Sequence, residues 1–189
     1  MRGNETILIQ GASGSIGLHA ALLMRAMGIE TFVSSGSVKN KIHLKNLGFE
    51  NVVSYSDHDW ISVLKANKSS GVDFIFDLLG PVAFDSYFDL IRPNGRIVMI
   101  DALLGDVCPI DVGKIFTKGI QVTGSLLRPQ SLSVKSIVRD SICSVVLPLV
   151  EVGSFNPVIG KKFVGLSSVK DAFEAYDTRI HFGKIVVEL

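Results

Sequence analysis

The sequence predicts an α/β fold, a doubly wound parallel sheet of six strands with a short strand-helix-strand tail, on three observations. Short β-branched runs alternate with helical patterns from the N-terminus to about Leu149, the strand candidates number six, and the first opens through a glycine-rich turn straight into a helix. Strands that alternate with helices form right-handed βαβ units, which stack into a parallel sheet covered on both faces. Six such strands make the Rossmann arrangement.

The strand candidates are Thr6–Gln10, Thr31–Ser34, Asn51–Ser54, Phe74–Asp77, Gly95–Ile100 and Ile120–Leu126. Helices are expected at Ser15–Met27, Val38–Leu47, Trp60–Asn67 and Val82–Ile91. A further helix carries Val134, Ile137, Val138, Ile142, Val145, Val146 and Leu149 at three-four spacing and reads as a core-facing helix ended near Pro148. After Gly153 the pattern changes. Pro157–Phe163 reads as a strand, Ser168 with Asp171 as a capping box before the stripe Val169, Ala172, Phe173 and Tyr176, and Lys184–Leu189 as a last strand. Residues 1–153 therefore read as one dinucleotide-binding domain and 154–189 as a tail.

The 189 residues are 47% hydrophobic and 20% charged, with 18 glycines and a net charge of +1, as expected of a compact α/β protein. So small a charge gives no reason to expect nucleic acid or an anionic membrane as partner. The apolar stretch Ile142–Val152 is broken by Ser144, Pro148 and Glu151, too short for a span. With no secretory h-region ahead of Thr6, a cytoplasmic location is expected. Cys108 and Cys143 lack the paired spacing of a zinc or redox site, so no metal is expected and both read as reduced thiols.

The most informative stretch is Ile7-Leu8-Ile9-Gln10-Gly11-Ala12-Ser13-Gly14-Ser15-Ile16-Gly17. Gly14 lets backbone approach a pyrophosphate, Gly17 allows a helix to pack closely on its strand, and the helix N-terminus offers free N–H groups to the anion. An NAD-preferring fold places an acid after the second strand to hold the ribose 2′-hydroxyl. Here that strand ends Ser34-Ser35-Gly36-Ser37, followed by Lys39 and Lys41. Small hydroxyl residues near cations suit a 2′-phosphate, hence NADPH, although the two lysines also read as solvated helix residues. Tyr55, after the third strand, stands either beside the adenosine or as a plain boundary tyrosine.

No other catalytic pattern accompanies this one. Gly11-Ala12-Ser13-Gly14-Ser15 lacks the last glycine of a nucleophile elbow, and neither Tyr87 nor Tyr176 has a lysine four residues on. His19, His43, His58 and His181 are scattered and read as surface residues. The catalytic residues are unassigned.

With these residues in place, the chain resembles the zinc-independent quinone oxidoreductase branch of the medium-chain dehydrogenase/reductase superfamily, the zeta-crystallin-like enzymes. The matching stretches are Ile9–Gly17, Val72-Asp73 through Asp77–Gly80, Pro93–Arg96, Gly124–Arg128 and His181–Val186, in order along nearly the whole chain. The resemblance implies Gly14, Ser15, Ile16 and Gly17 on the pyrophosphate, and Ser35, Gly36 and Tyr55 around the adenosine phosphate. It places Leu103, Ser125 and Leu126 near nicotinamide. Ser15, Pro81 and Asp101 depart from the family pattern, and the lysine expected after Gly36 falls on Asn40, between Lys39 and Lys41.

In that superfamily a GroES-like catalytic domain precedes the Rossmann domain and the tail returns to complete it, so the chain is expected to be the cofactor half of a longer enzyme, inactive alone. The implied reaction is hydride transfer from NADPH to a quinone or an α,β-unsaturated carbonyl. Reduction of an enoyl thioester and a non-catalytic nucleotide-binding role are the alternatives. A homodimer through the edge of the sixth strand is implied as well, because that strand would otherwise be an exposed apolar edge.

Overall fold

A computed structural model of the chain describes residues 4–68, 70–80, 84–178 and 181–189. Six strands, β1 (Thr6–Ile9), β2 (Glu30–Ser35), β3 (Val52–Ser54), β4 (Val72–Asp77), β5 (Ile91–Met99) and β6 (Gln121–Gly124), form one sheet in the order β3-β2-β1-β4-β5-β6. Every pairing is parallel. The order reverses between β1 and β4, and a crevice opens there at the carboxyl ends of the strands.

Period-two alternation along the strands divides the core between the two faces. Leu8, Phe32, Ile75 and Ile97 face one way, into a cluster with Trp60 and Leu64 of α3 (Trp60–Asn67) and with Phe84, Tyr87 and Phe88 of α4 (Phe84–Leu90). Ile7, Ile9 and Val33 face the other way. They meet Leu18, Ala21 and Leu22 of α1 (Ser15–Ala26) and Leu44 of α2 (Val38–Asn46). Each fully buried aliphatic or aromatic side chain contributes roughly 1.5–3 kcal/mol, so these two layers fix the register that positions the crevice. The helix expected from Val82 is described from Phe84; Pro81 and Val82 lie outside the described residues.

Three departures from the sequence reading have local causes. β5 starts at Ile91, four residues before the expected Gly95, because Ile91 pairs with Val72 and the ladder then skips to Arg96 opposite Phe74. Pro93-Asn94-Gly95 is extruded between those pairs, with Asn94 at φ 61. A seven-residue helix, α5 (Val112–Lys118), is absent from the sequence reading. Asp111 caps it by accepting from the Gly113 and Lys114 N–H groups, and Gly119 ends it at φ 63. Asp171 and Ser168 form no capping box: the Ser168 hydroxyl donates to the Gly165 carbonyl at 2.8 Å instead, after a single 3₁₀ turn.

The larger correction concerns the helix after Ser131. It runs on as α6 (Leu132–Ser141), a π turn (Ile142–Val146) and α7 (Leu147–Glu151), passing through Pro148 because proline in the first turn of α7 lacks only an N–H that the π turn leaves free. It is not core-facing. None of its residues is buried, and Ile137 is 66% exposed; only Val146 and Leu149 reach the second cluster. The three-four stripe has the right spacing for burial, but no described layer of this chain lies over it.

The tail forms a parallel pair, β7 (Ile159–Val164) and β8 (Lys184–Glu188), joined by α8 (Val169–Asp177). Its roots are tied to the layers around the six-stranded sheet. Phe155 is buried in the second cluster with Phe182 and Val158 against it, and the Gly183 N–H donates to the Ser13 carbonyl at 3.0 Å. Its outer face is open, with Phe173 65% and Tyr176 58% exposed. None of the described helices is long and apolar enough to cross a membrane.

Candidate dinucleotide site

β1 delivers the glycine-rich turn to the crevice. Gly11 takes φ 71, and Gly14 is the N-cap of α1 with no side-chain cap. The first-turn N–H groups of Ser15, Ile16 and Gly17 therefore face an external acceptor, and no acid stands in that turn to compete. A Cβ built on Gly14 would meet only the Gly11 carbonyl, at 3.6 Å, so the space before it is open. A Cβ on Gly17 would run into the Gly11 carbonyl and come within 3.0 Å of the Ala12 Cα. The two glycines thus differ: the space before Gly14 is open, and the bare Cα of Gly17 lets α1 close on β1.

On the β2 and β3 side, Ser35, Gly36 and Tyr55 are brought together. The Tyr55 N–H donates to the Ser35 carbonyl at 3.0 Å, and the Tyr55 ring lies so close over Gly36 that a Cβ there would stand 2.8 Å from Cζ. Burial pushes the Tyr55 phenol above its ordinary value, so it stays a neutral hydrogen-bonding group. Ser35 itself is fully buried, its hydroxyl donating to the Ser37 carbonyl at 3.1 Å. It supports the loop from beneath, while Ser37 and Lys39 are exposed beside it. Lys41 pairs with Asp57 at 3.4 Å, which leaves Lys39 as the cation not drawn to a carboxylate among the described residues here. Asn40 is buried, and its N–H donates to the Ser37 hydroxyl at 3.2 Å.

Across the switch point, Asp77 at the end of β4 is fully buried. It accepts from the Tyr87 hydroxyl at 2.7 Å and from the Leu79 and Gly80 N–H groups at 2.9 and 3.2 Å. Burial raises its carboxyl above the ordinary value against those three bonds. The fastened turn in turn accepts the next loop, since the Leu103 and Leu104 N–H groups donate to the Leu78 and Leu79 carbonyls. Leu103 is thereby held near α1. Ser125 is hooked to the end of β5 through the Met99 carbonyl at 2.9 Å, and Leu126 follows it, 61% exposed.

A cavity of about 460 Å³ lies between these parts. Ser15 and Ile16 line it from α1, Leu78, Asp101 and Leu103 from the ends of β4 and β5, and Tyr176, Asp177 and His181 from the tail. Ser125 and Leu126 are not among its lining residues. The tail residues escaped the sequence reading because nothing local joins residue 181 to residue 15; only tertiary docking does. His58 is exposed, as expected of a surface residue, but the other three histidines are corrected. His19 Nδ1 donates to the Ser15 carbonyl at 2.6 Å while its Nε2 accepts from the Val158 N–H at 3.1 Å, and His43 packs on Phe182. His181 stacks on Tyr176 with its Nδ1 buried and without a partner among the described residues. Among those residues, no three His, Cys, Asp or Glu side chains gather as a metal cluster.

Residues 15–139 match the model of the zinc-binding dehydrogenase family. A quinone oxidoreductase of Mus musculus is 26% identical over 185 residues, covering 95% of this chain and 52% of the relative. An acryloyl-coenzyme A reductase of Sulfurisphaera tokodaii is 25% identical over 197 residues, covering 100% of this chain and 52% of its own length. Among solved structures, the quinone oxidoreductase of Thermus thermophilus, described with its NADPH complex, superposes with a TM-score of 0.84 at 26% identity, over 100% of this chain and 59% of that one. The chain spans about half the length of the curated relatives it matches.

Proposed function

Because the chain belongs to the zinc-binding dehydrogenase family, we propose that it is the NADPH-binding part of an oxidoreductase that reduces a quinone or an α,β-unsaturated carbonyl. The observation that carries this reading is the uncapped start of α1 at the β1/β4 switch point, beside a β2 end that bears no acid. The first-turn N–H groups bind the diphosphate. Gly36 and Tyr55 seat the adenosine, and Lys39 with the Ser37 hydroxyl faces the 2′-phosphate. Leu78 and Leu103 hold the other half of the cofactor over the ends of β4 and β5. When bound, the dinucleotide supplies a hydride from the reduced nicotinamide ring, and the protein supplies orientation and exclusion of water.

The acryloyl-coenzyme A reductase relative supports a second reading, reduction of an enoyl thioester, which uses the same hydride delivery to a conjugated carbonyl. A cytoplasmic location accompanies both, supported by two cysteines that are free rather than paired.

Calorimetric titration tests the cofactor. NADPH should bind more tightly than NADH, and Lys39→Glu should weaken NADPH about tenfold, as loss of one charge-assisted contact does, while leaving NADH unchanged. Tighter binding of NADH by the unaltered chain sinks the assignment. The same sample should show negligible NADPH oxidation with a quinone, because among the described residues only the tail lies across the crevice and the strand end at Leu126 is left open to solvent. Turnover at the rate of a full-length relative would mean that these residues form a complete enzyme.

A further inference from the structure

The two ring nitrogens of His19 have opposite partners. The Ser15 carbonyl can only accept, so Nδ1, 2.6 Å away, carries the ring proton; the Val158 N–H can only donate, so Nε2, 3.1 Å away, keeps its lone pair. One tautomer of the neutral ring is thereby fixed. The bond to Val158 closes a circuit, because the Val158 carbonyl accepts from the Lys184 N–H at 3.0 Å and the neighbouring Gly183 N–H donates to the Ser13 carbonyl at 3.0 Å. The circuit starts and ends at Ser13 and Ser15, in the glycine-rich turn and the first turn of α1, and passes through the roots of β7 and β8. Tyr176, Asp177 and His181, which wall the cavity opposite Ser15, lie on the chain between those two roots. Fixing the roots fixes the wall.

We propose that His19 is a positioning residue for the dinucleotide crevice: its neutral ring locks the tail wall to the first turn of α1, and uptake of a second proton releases it. The reading rests on dinucleotide binding at the start of α1 and adds a control on how that site is walled. A protonated ring carries an N–H on both nitrogens. The Nε2–H would then face the Val158 N–H, two donors at hydrogen-bond distance, and the bond would become a repulsion. Imidazole is the side chain whose charge ordinarily changes between about pH 5 and 8. Every other member of the circuit is a backbone N–H or carbonyl, which does not titrate. The ionisable groups around this corner are Asp101, Tyr176, Asp177 and His181 about the cavity and His43 against Phe182, and none of them is hydrogen-bonded to the His19 ring. The remaining neighbour is the uncharged Phe155 ring, edge-on at 6.4 Å.

Two variants test the lock. In H19Q the amide oxygen takes the place of Nε2 as acceptor and does not protonate; in H19N the amide stands in for Nδ1 and leaves Val158 without an acceptor. Amide hydrogen exchange, corrected for the intrinsic pH dependence of the rate, should show the Val158 N–H of the unaltered chain losing protection about tenfold from about pH 8 to about pH 5, relative to the Leu8 N–H in the core. H19Q should keep its protection within about twofold over that range, and H19N should lack it at both ends. Ring nitrogen resonances of His19 at the upper pH should show the Nδ1–H tautomer. By calorimetry, NADPH should bind the unaltered chain and H19Q within about twofold of each other at the upper pH and favour H19Q about fivefold at the lower. Protons taken up by the ligand, by His43 or by His181 cancel in that ratio. An Nε2–H tautomer, no acid loss of Val158 protection in the unaltered chain, or the same loss in H19Q overturns the lock; the first two decide even if H19Q fails to fold. Release of Val158 with an unchanged NADPH ratio would confine His19 to the tail and overturn its part in the site. Failure of the unaltered chain to bind NADPH at either pH would instead overturn dinucleotide binding, with the exchange result standing apart from it.

Discussion

Gly14 and Gly17 stand three residues apart in one turn and exclude side chains for different reasons. At Gly17 the obstacle is backbone of the same protein, the Gly11 carbonyl and the Ala12 Cα, neither of which can yield without moving β1 from α1. Gly17→Ala should therefore destabilise the fold by about 1–3 kcal/mol, the usual cost of overpacking, seen as a lower midpoint in thermal unfolding. At Gly14 a Cβ meets nothing closer than 3.6 Å, and the φ of −78° suits any residue. Gly14→Ala should change stability by less than about 1 kcal/mol, the scale of a lost N-cap preference, yet weaken NADPH at least tenfold because its methyl group stands where the diphosphate must approach. If both variants lose stability equally, the division of roles between the two glycines is wrong.

At the scale of elements, a single carboxylate fastens three strands at the end of the sheet opposite the crevice. Asp73 of β4 accepts from the Thr6 N–H of β1 at 2.8 Å and from Arg92 of β5, whose Nη1 reaches its two oxygens at 2.8 and 2.7 Å. Partial burial alone would raise this carboxyl, but the Thr6 N–H and the Arg92 guanidinium outweigh it and hold the group below its ordinary value. Glu30 is held low as well, chiefly by Lys68. A carboxylate whose folded value is depressed contributes stability above its unfolded value of about 4 and loses it as pH falls through the folded value. The contribution of Asp73 and Glu30 should accordingly be constant near neutrality and fall below about pH 4. Asp73→Asn should cost roughly 1–2 kcal/mol at pH 7 and make the acid limb of a denaturant-melt series shallower. An acid limb unchanged in the variant would show that Asp73 is not the linked group.

Over the whole molecule, burial is uneven along the chain. The hydrophobic core draws on residues from Ile7 to Ile97 and on Ile120, and beyond that only Phe155 and Ala172 add buried hydrophobic side chains among the described residues. The free edge of the sheet at β6, the stripe on α6 and the outer face of α8 are all exposed. Exposed apolar surface in three places calls for cover by another body, consistent with a chain that spans half the length of its relatives. At β6 the proposed cover is a second copy, because an unpaired edge continues a sheet most simply across a two-fold axis. Sedimentation should show a dimer at micromolar concentration, and Val122→Lys, which places a charge on that edge, should shift it to monomer. A wild-type chain that sediments only as monomer rules this contact out.

Much of the six-stranded sheet and its helices was legible because their determinants are local. Period-two strands, three-four helices and the glycine-rich turn each bury a face that their own neighbours in sequence supply, so Trp60–Asn67 and the start of α1 at Ser15 came out at the residues expected. The tail side of the cavity and the orientation of its neighbours were not legible. Ser35 faces inward, His19 grips Val158, and His181 lies across from Ser15, and each placement depends on chain segments more than a hundred residues apart or on which side of a strand end faces water. The stripe on α6 marks the boundary between the two kinds of knowledge. Its spacing announced an apolar face, but spacing carries no record of what covers that face, and only the packing of the chain shows that none of its described residues does.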